Sequence, residues 1–176
     1  MIPTTRASPS HDRFRQLFGS HYRSVLAYAL RRCATVQDAE EVAAETFAVA
    51  WRRIGDLRHD DEALPWLYAI ATRVLANQRR AGRRLEAVRA RLWRQPRGVD
   101  EPSSDEWRGV VGALRRLPAA DQEVLRLSAW EGLTHRDIAL VLGCSENAVA
   151  VRLHRARRRL ATETGKTMAQ APEEGR

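Results

Sequence analysis

The segment from Thr134 to Leu160 constrains this chain more than any other. Thr134-His135-Arg136-Asp137 has the form of a capping box, in which a threonine hydroxyl and a carboxylate three residues on satisfy the free amides of a helix start. It opens a short helix with Ile138, Ala139 and Leu142 on one face. Gly143 ends that helix, and Ser145 is placed to N-cap the next. In the second helix Val149, Leu153, Ala156 and Leu160 form one apolar stripe. A short helix, a glycine turn and a longer basic helix make a helix-turn-helix.

The stripe fixes what the long helix presents to solvent. At about 100° per residue, burying Val149, Leu153, Ala156 and Leu160 turns Asn147, Val151, His154, Arg155 and Arg158 outward. Arg152 and Arg159 lie on a flank. A helix of this width fits the DNA major groove, where arginines reach guanine edges or phosphates and an exposed Val151 can meet a thymine methyl. Five arginines fall between Arg152 and Arg159. The whole chain shares the bias, with 30 Lys+Arg against 22 Asp+Glu and a formal net charge of +8. Lys166 is its only lysine. The planar guanidinium suits phosphates and guanine edges better than an ammonium does.

The remaining periodicity is helical throughout, with no sustained alternation to support a strand. Residues 1–11 read as a flexible tail. Phe14, Leu17, Phe18, Tyr22, Val25 and Ala29 mark a first helix from Asp12. Thr35-Val36-Gln37-Asp38, again of capping-box form, opens a second, with Ala43, Phe47, Ala50, Trp51 and Ile54 as its apolar stripe. Gly55 to Pro65 reads as a polar loop, and a third helix runs from Pro65 to about Arg84 with Leu67, Ile70, Ala71 and Val74 facing inward. Residues 85–106 are arginine-rich, then acidic and turn-rich, as in a linker. A second unit follows from Trp107: one helix with Val110, Val111, Leu114 and Leu117, a break at Pro118, another with Val124, Leu125 and Leu127, then the helix-turn-helix. Residues 161–176 read as a polar, disordered tail. The expected fold is all-α: two small helical domains, 12–84 and 107–162, joined by a flexible linker.

Two faces of the first domain carry chemistry. Asp38, Glu41 and Glu45 recur at helical spacing and form an acidic stripe beside the apolar one. On the third helix Trp66, Arg73, Asn77, Arg80 and Arg84 share a face; an aromatic ring can stack on an unpaired base while arginines hold its phosphates. The two cysteines, Cys33 and Cys144, have neither a CxxC partner nor a histidine at metal spacing, so no disulfide framework, metal site or cofactor is expected. The start of the chain lacks an apolar targeting segment, and no run approaches the roughly 18 apolar residues of a membrane span. A cytoplasmic protein without membrane insertion is expected.

DAEEVAAETFAVAWRRI followed by LPWLYAIATRVLANQRRAGRR resembles domain two of the extracytoplasmic-function bacterial sigma factors. LRRLPAADQEVLRLSAWEGLTHRDIALVLGCSENAVAVRLHRARRRL resembles their domain four. Both blocks stand in the family's order and at its spacing, over residues 12–162. The resemblance implies a non-enzymatic factor that binds core RNA polymerase, directs it to promoters and promotes their melting. It implies that Asp38, Glu41 and Glu45, with Phe47 and Trp51, dock on the coiled coil of the polymerase beta-prime subunit, and that the second domain meets the beta flap. It implies that the 55–65 loop, with Arg58, His59 and Asp60, reads the minus-10 element by holding a flipped base, supported by Trp66, Arg73, Asn77 and Arg80. Asn147, Ala150, Val151, Arg152, His154, Arg155 and Arg158 would read the minus-35 element as duplex. The linker would thread toward the polymerase active site. A regulatory anti-sigma partner is also implied. Two positions depart from the family pattern: Arg73, where Asn is frequent, and Ala150-Val151, where a cation followed by Ser is commoner. Base preference at these positions is therefore not carried over.

Two rival readings make different predictions. A regulator that acts without polymerase would bind its operator tightly alone, and would have no evident use for the acidic stripe. An enzyme acting on nucleic acid would need carboxylates converging from several elements, whereas Asp60, Asp61 and Glu62 are consecutive in one loop.

Overall fold

A computed structural model describes residues 9–89 and 105–170 of the backbone, and side chains at 10–80 and 109–165. The described residues form seven α-helices and two short 3₁₀ turns, with no strand among them. The chain divides into two compact units, one up to Gly98 and one from Val99.

In the first unit α1 (Pro9–Leu30), α2 (Val36–Arg52) and α3 (Ala63–Arg89) pack mutually. Thr35 caps α2 by accepting the Asp38 amide at 3.0 Å. The core is filled by Leu17, Val25 and Ala29 of α1, Val42, Ala43, Phe47 and Ala50 of α2, and Leu67, Ile70, Ala71 and Val74 of α3. Alanine-rich facing surfaces let the helices approach closely, and aromatic rings fill the space that remains. Tyr28 and Tyr68 stack at 4.6 Å between centroids, and the Arg32 guanidinium lies 3.5 Å from the centre of the Tyr28 ring. Tyr28 is fully buried, so its hydroxyl must find a partner. It pairs with Thr72 Oγ1 at 2.8 Å.

The loop between α2 and α3 is more ordered than its polarity predicts. It holds 3₁₀ turns at Ile54–Asp56 and Asp60–Glu62. Leu57, alone among polar neighbours, is 3% exposed and pins the loop to the bundle. α3 starts at Ala63, ahead of the expected Pro65; a proline in the first turn removes only an amide that had no intrahelical acceptor. α3 also continues to Arg89, past residue 84. Most of the expected linker lies outside the described residues.

In the second unit α4 (Asp105–Arg116), α5 (Ala119–Ala129) and α6 (His135–Leu142) each pack on α7 (Glu146–Gln170). The Thr134 capping box forms in full, with Thr134 Oγ1 accepting the Asp137 amide at 3.2 Å and Asp137 Oδ2 accepting the Thr134 amide at 3.2 Å. Gly143 ends α6 at φ +64°, the left-handed region where a side chain would be strained. Ser145 Oγ accepts the Ala148 amide at 3.2 Å and starts α7. Val149, Leu153 and Ala156 are buried, and Leu160 is half-buried near the edge of the unit. Two expectations need correction. On α6, Val141 is buried in place of Leu142, which is half-buried. α7 does not end near residue 160 but continues to Gln170. There Thr162 and Thr164 hydroxyls donate back to the carbonyls of Arg158 and Leu160, and Glu163 pairs with Arg116 of α4 at 3.1 Å.

Candidate polymerase and DNA interfaces

The stripe on α2 is exposed as its spacing requires. Asp38, Glu41 and Glu45 all face solvent. Glu45 pairs with Arg52 at 3.2 Å, a contact open enough to water to exchange for an intermolecular one at little cost. Phe47 corrects the expectation of a docking residue. It is 3% exposed, with the rings of Phe18 at 4.8 Å and Tyr22 at 6.0 Å against it, so it supports this surface from beneath. Trp51 remains 38% exposed, with His11 and Phe14 against its ring at 4.7 and 5.1 Å.

The neighbouring face of α3 has the opposite character. Arg73, Asn77 and Arg80 are exposed and Trp66 is half-buried. Asn77 Oδ1 accepts from Arg80 at 2.6 Å, which holds the amide and the guanidinium side by side. Arg73 makes no hydrogen bond or ion pair with any described residue, leaving its fork open to a phosphate. Between the two helices runs a groove of 380 Å³ with Val49, Ile70 and Val74 as its apolar wall and Glu45, Arg53, Arg73, Asn77 and Gln78 around them. One seam thus separates an acidic surface from a cationic one.

In the 55–65 loop Arg58, His59 and Asp60 are all exposed. Sequence reasoning missed one residue here: Arg13 of α1 donates to Asp60 Oδ1 from Nη2 at 2.8 Å and from Nε at 3.3 Å. Nothing in the local pattern marks a contact across 47 positions. Leu57 could have been found, as an isolated apolar side chain in a polar run. Asp60, Asp61 and Glu62 do not converge with other carboxylates; among the described residues no three His, Cys, Asp or Glu side chains gather closely enough to hold a metal.

On α7, Asn147, Val151, Arg152, His154, Arg155 and Arg158 are exposed and Ala150 is half-buried. Val151 keeps 42% of its surface in water, unusual for a valine in a helix with a well-formed core face. The arginines divide by partner. Arg159 binds Asp121 of α5 and Arg157 reaches Ser128 at 3.5 Å, so both tie α7 to α5. The Arg155 and Arg158 guanidinium groups bind no described residue. They line a cleft of 390 Å³ with Leu117, Pro118 and Thr162 and with the Arg116–Glu163 and Arg159 pairs. Arg152 points toward Cys144, Nη1 to Sγ 3.9 Å. Burial and then the Asp38 carboxylate push the Cys33 thiol up, against the pull of Arg79 and Arg32. Its reactive thiolate is thereby disfavoured at neutral pH.

Comparison with known proteins gives the same division. The Sigma-70 region 2 family matches residues 17–85, and the Sigma-70 region 4 family matches residues 108–160. The RNA polymerase sigma factor NccH of Alcaligenes xylosoxydans xylosoxydans is 30% identical over 160 residues, 84% of either chain. The ECF RNA polymerase sigma factor SigL of Mycobacterium tuberculosis is 31% identical over 156 residues, 83% of this chain and 85% of SigL. The sigma factor RpoE of Bartonella quintana, solved in complex with the anti-sigma factor NepR, shares the fold at a TM-score of 0.70 and 21% identity, covering 86% of this chain and 96% of RpoE. CnrH, solved in complex with the cytosolic domain of CnrY, matches at a TM-score of 0.57 and 28% identity over 85% of each chain. With both sigma regions in place and relatives matched across most of its length, the chain belongs to the extracytoplasmic-function RNA polymerase sigma factors, which direct polymerase to promoters and start transcription there.

Proposed function

We propose that the two units divide the work of initiation by face. The acidic stripe of Asp38, Glu41 and Glu45, with Trp51 beside it, docks on the beta-prime coiled coil. The cationic face of Arg73, Asn77 and Arg80, with Trp66, follows the nontemplate strand as it opens, and the 55–65 loop holds one base out of the stack. The second unit meets the beta flap and lays α7 in the major groove of the minus-35 element. The observation that carries this reading is the juxtaposition of opposite charges on adjacent faces of one bundle. An acidic face repels DNA and suits a protein partner, while the arginine-and-amide face one seam away suits a nucleic-acid strand.

The energetics fit the division. Opening DNA costs about 1.4 kcal/mol of stacking per base-pair step. Stacking an extruded base on an aromatic ring returns about 1–3 kcal/mol, and charge pairing to the strand adds to it. Duplex contacts by α7 position the complex. No step requires catalysis by this chain, and bond formation belongs to the polymerase. The chain then acts in the cytoplasm, where polymerase is. The Bartonella relative's complex supports regulation of this chain by an anti-sigma protein as well.

The test is association with purified bacterial core polymerase, followed by runoff transcription from a library of promoter fragments. Tight association with core, and transcription only when both proteins are present, is the expected result. Tight operator binding by the chain alone, without association with core, would overturn it in favour of a polymerase-independent regulator.

A further inference from the structure

We propose that Arg13 is a positioning residue for base recognition: it clasps Asp60 so that the free carboxylate oxygen of Asp60 accepts a hydrogen from the exocyclic amino group of the base held by the loop. The inference rests on the reading of residues 55–65 as the minus-10 reader, and it concerns a residue outside that loop and outside every face described above.

The geometry is specific. Both Arg13 contacts, Nη2 at 2.8 Å and Nε at 3.3 Å, fall on Oδ1 of Asp60. Oδ2 accepts no hydrogen bond from any described residue, and the Asp60 side chain is 85% exposed. An ionised carboxylate is an acceptor only, so Oδ2 discriminates among base edges: it favours an amino hydrogen and opposes a carbonyl oxygen. A lone carboxylate close to a phosphate backbone is repelled. The Arg13 cation offsets that charge without occupying the outward oxygen.

The clasp also has something to hold. Between α1 and the loop lies a crevice of 320 Å³ lined by Gln16, Leu17, Ser20, His21, Leu57 and Ala63, with Arg13 and Asp60 at its rim. Leu57 and Ala63 pin the ends of the reading segment, each 3% exposed, while Arg58, His59 and Asp60 between them are exposed. Arg13–Asp60 is the side-chain tie across the crevice. Burial lowers the His21 pKa, which favours the neutral imidazole on the crevice wall.

The experiment uses the full chain assembled with bacterial core polymerase and promoters randomised at the minus-10 element, scored by open-complex formation and compared with core affinity. Arg13→Ala is expected to cut the preference for A and C, which carry an amino group at C6 or C4, over G and T, which carry a carbonyl there, at the loop-read position by about threefold to fivefold, the scale of one well-placed exposed ion pair. Core affinity and minus-35 preference should stay unchanged. Arg13→Lys restores part of the preference. Asp60→Asn, which keeps the shape, leaves its carbonyl oxygen on Arg13 and turns its amide hydrogens outward, so the preference falls and shifts toward carbonyl-bearing bases. In the reversed pair Arg13→Asp with Asp60→Arg, opening returns but the preference moves to carbonyl-bearing bases, because position 60 then donates. An Arg13→Ala profile identical to the parent, while His59→Ala still shifts base choice, overturns the clasp and leaves the loop reading intact. Identical profiles for Arg13→Ala, Asp60→Asn, Arg58→Ala and His59→Ala overturn both. If Arg13→Ala fails to fold, Asp60→Asn and the reversed pair decide on the same criteria.

Discussion

Leu153 is 1% exposed at the middle of α7, the helix on which α4, α5 and α6 all pack. Truncation there leaves a cavity that the surrounding helices refill only in part. Leu153→Ala should therefore destabilise the second unit by about 2–5 kcal/mol, read from the urea midpoint of the full chain. His21 makes a different kind of prediction. Burial holds its pKa below the ordinary 6.5, so the folded chain binds the proton less readily than the unfolded chain. The contribution is fully present above pH 6.5 and is lost as pH falls from there toward the folded value, below which this source adds no further slope. Gln at position 21 removes the titration, so thermal melting between pH 5 and pH 7 should slope less steeply in His21→Gln than in the parent (roughly the span over which histidine titrates). A parallel pair of slopes would show that other groups carry the acid sensitivity. At this scale the sequence was legible where periodicity speaks, as for Val149 and Leu153. It was silent where two distant side chains meet by topology alone, as for Arg13 with Asp60 or Tyr28 with Thr72.

At the scale of an element, α7 is the informative helix. Its start was legible because caps are local chemistry: Thr134, Gly143 and Ser145 act within a few residues of where they stand. Its end was not. The stretch Ala161-Thr-Glu-Thr-Gly-Lys carries no apolar stripe; there the Thr162 and Thr164 hydroxyls bond to preceding carbonyls, and Glu163 pairs with Arg116 of α4, a tie across the unit that no local pattern marks. On the proposed docking of α7 in the major groove, length also separates two roles along the exposed face. Arg158 lies eleven residues beyond Asn147, about 16 Å along the axis, whereas the major groove is about 12 Å wide. When Asn147 and Val151 read base edges, Arg158 stands over a phosphate. Arg158→Ala should accordingly weaken promoter binding by the holoenzyme uniformly across minus-35 variants and lower the slope of log affinity against log salt by about one. Asn147→Ala should instead change which minus-35 variants bind, with the slope kept. A change of base preference in Arg158→Ala at unchanged slope would contradict this division of the helix.

For the whole molecule, the proposed division of faces makes polymerase recruitment and promoter selection separable by mutation, because the side chains it assigns to each are exposed and no core relies on them. Asp38, Glu41 and Glu45 face solvent on α2, and replacing them with Lys leaves Ala39, Val42, Ala43, Thr46 and Phe47 beneath untouched. The Arg155 and Arg158 guanidinium groups bind no described residue, so their loss leaves α7 held by its buried stripe and by the Arg159–Asp121 pair. The acidic-stripe variant is expected to stay folded, to lose affinity for core polymerase by more than about tenfold because the proposed docking uses the negative charge that the substitutions reverse, and to lose transcription at every promoter alike. The Arg155→Ala, Arg158→Ala double variant is expected to bind core as the parent does and to fail at the promoter, with a defect that low salt restores. These opposite phenotypes discriminate the assignment from its rival. A regulator that acts alone would lose DNA binding with the arginines and show no consequence from the stripe. If charge reversal of the stripe leaves core affinity intact, then α2 does not dock on polymerase, and the acidic face must be assigned to another partner while the promoter-facing roles of α3 and α7 are judged on their own measurements.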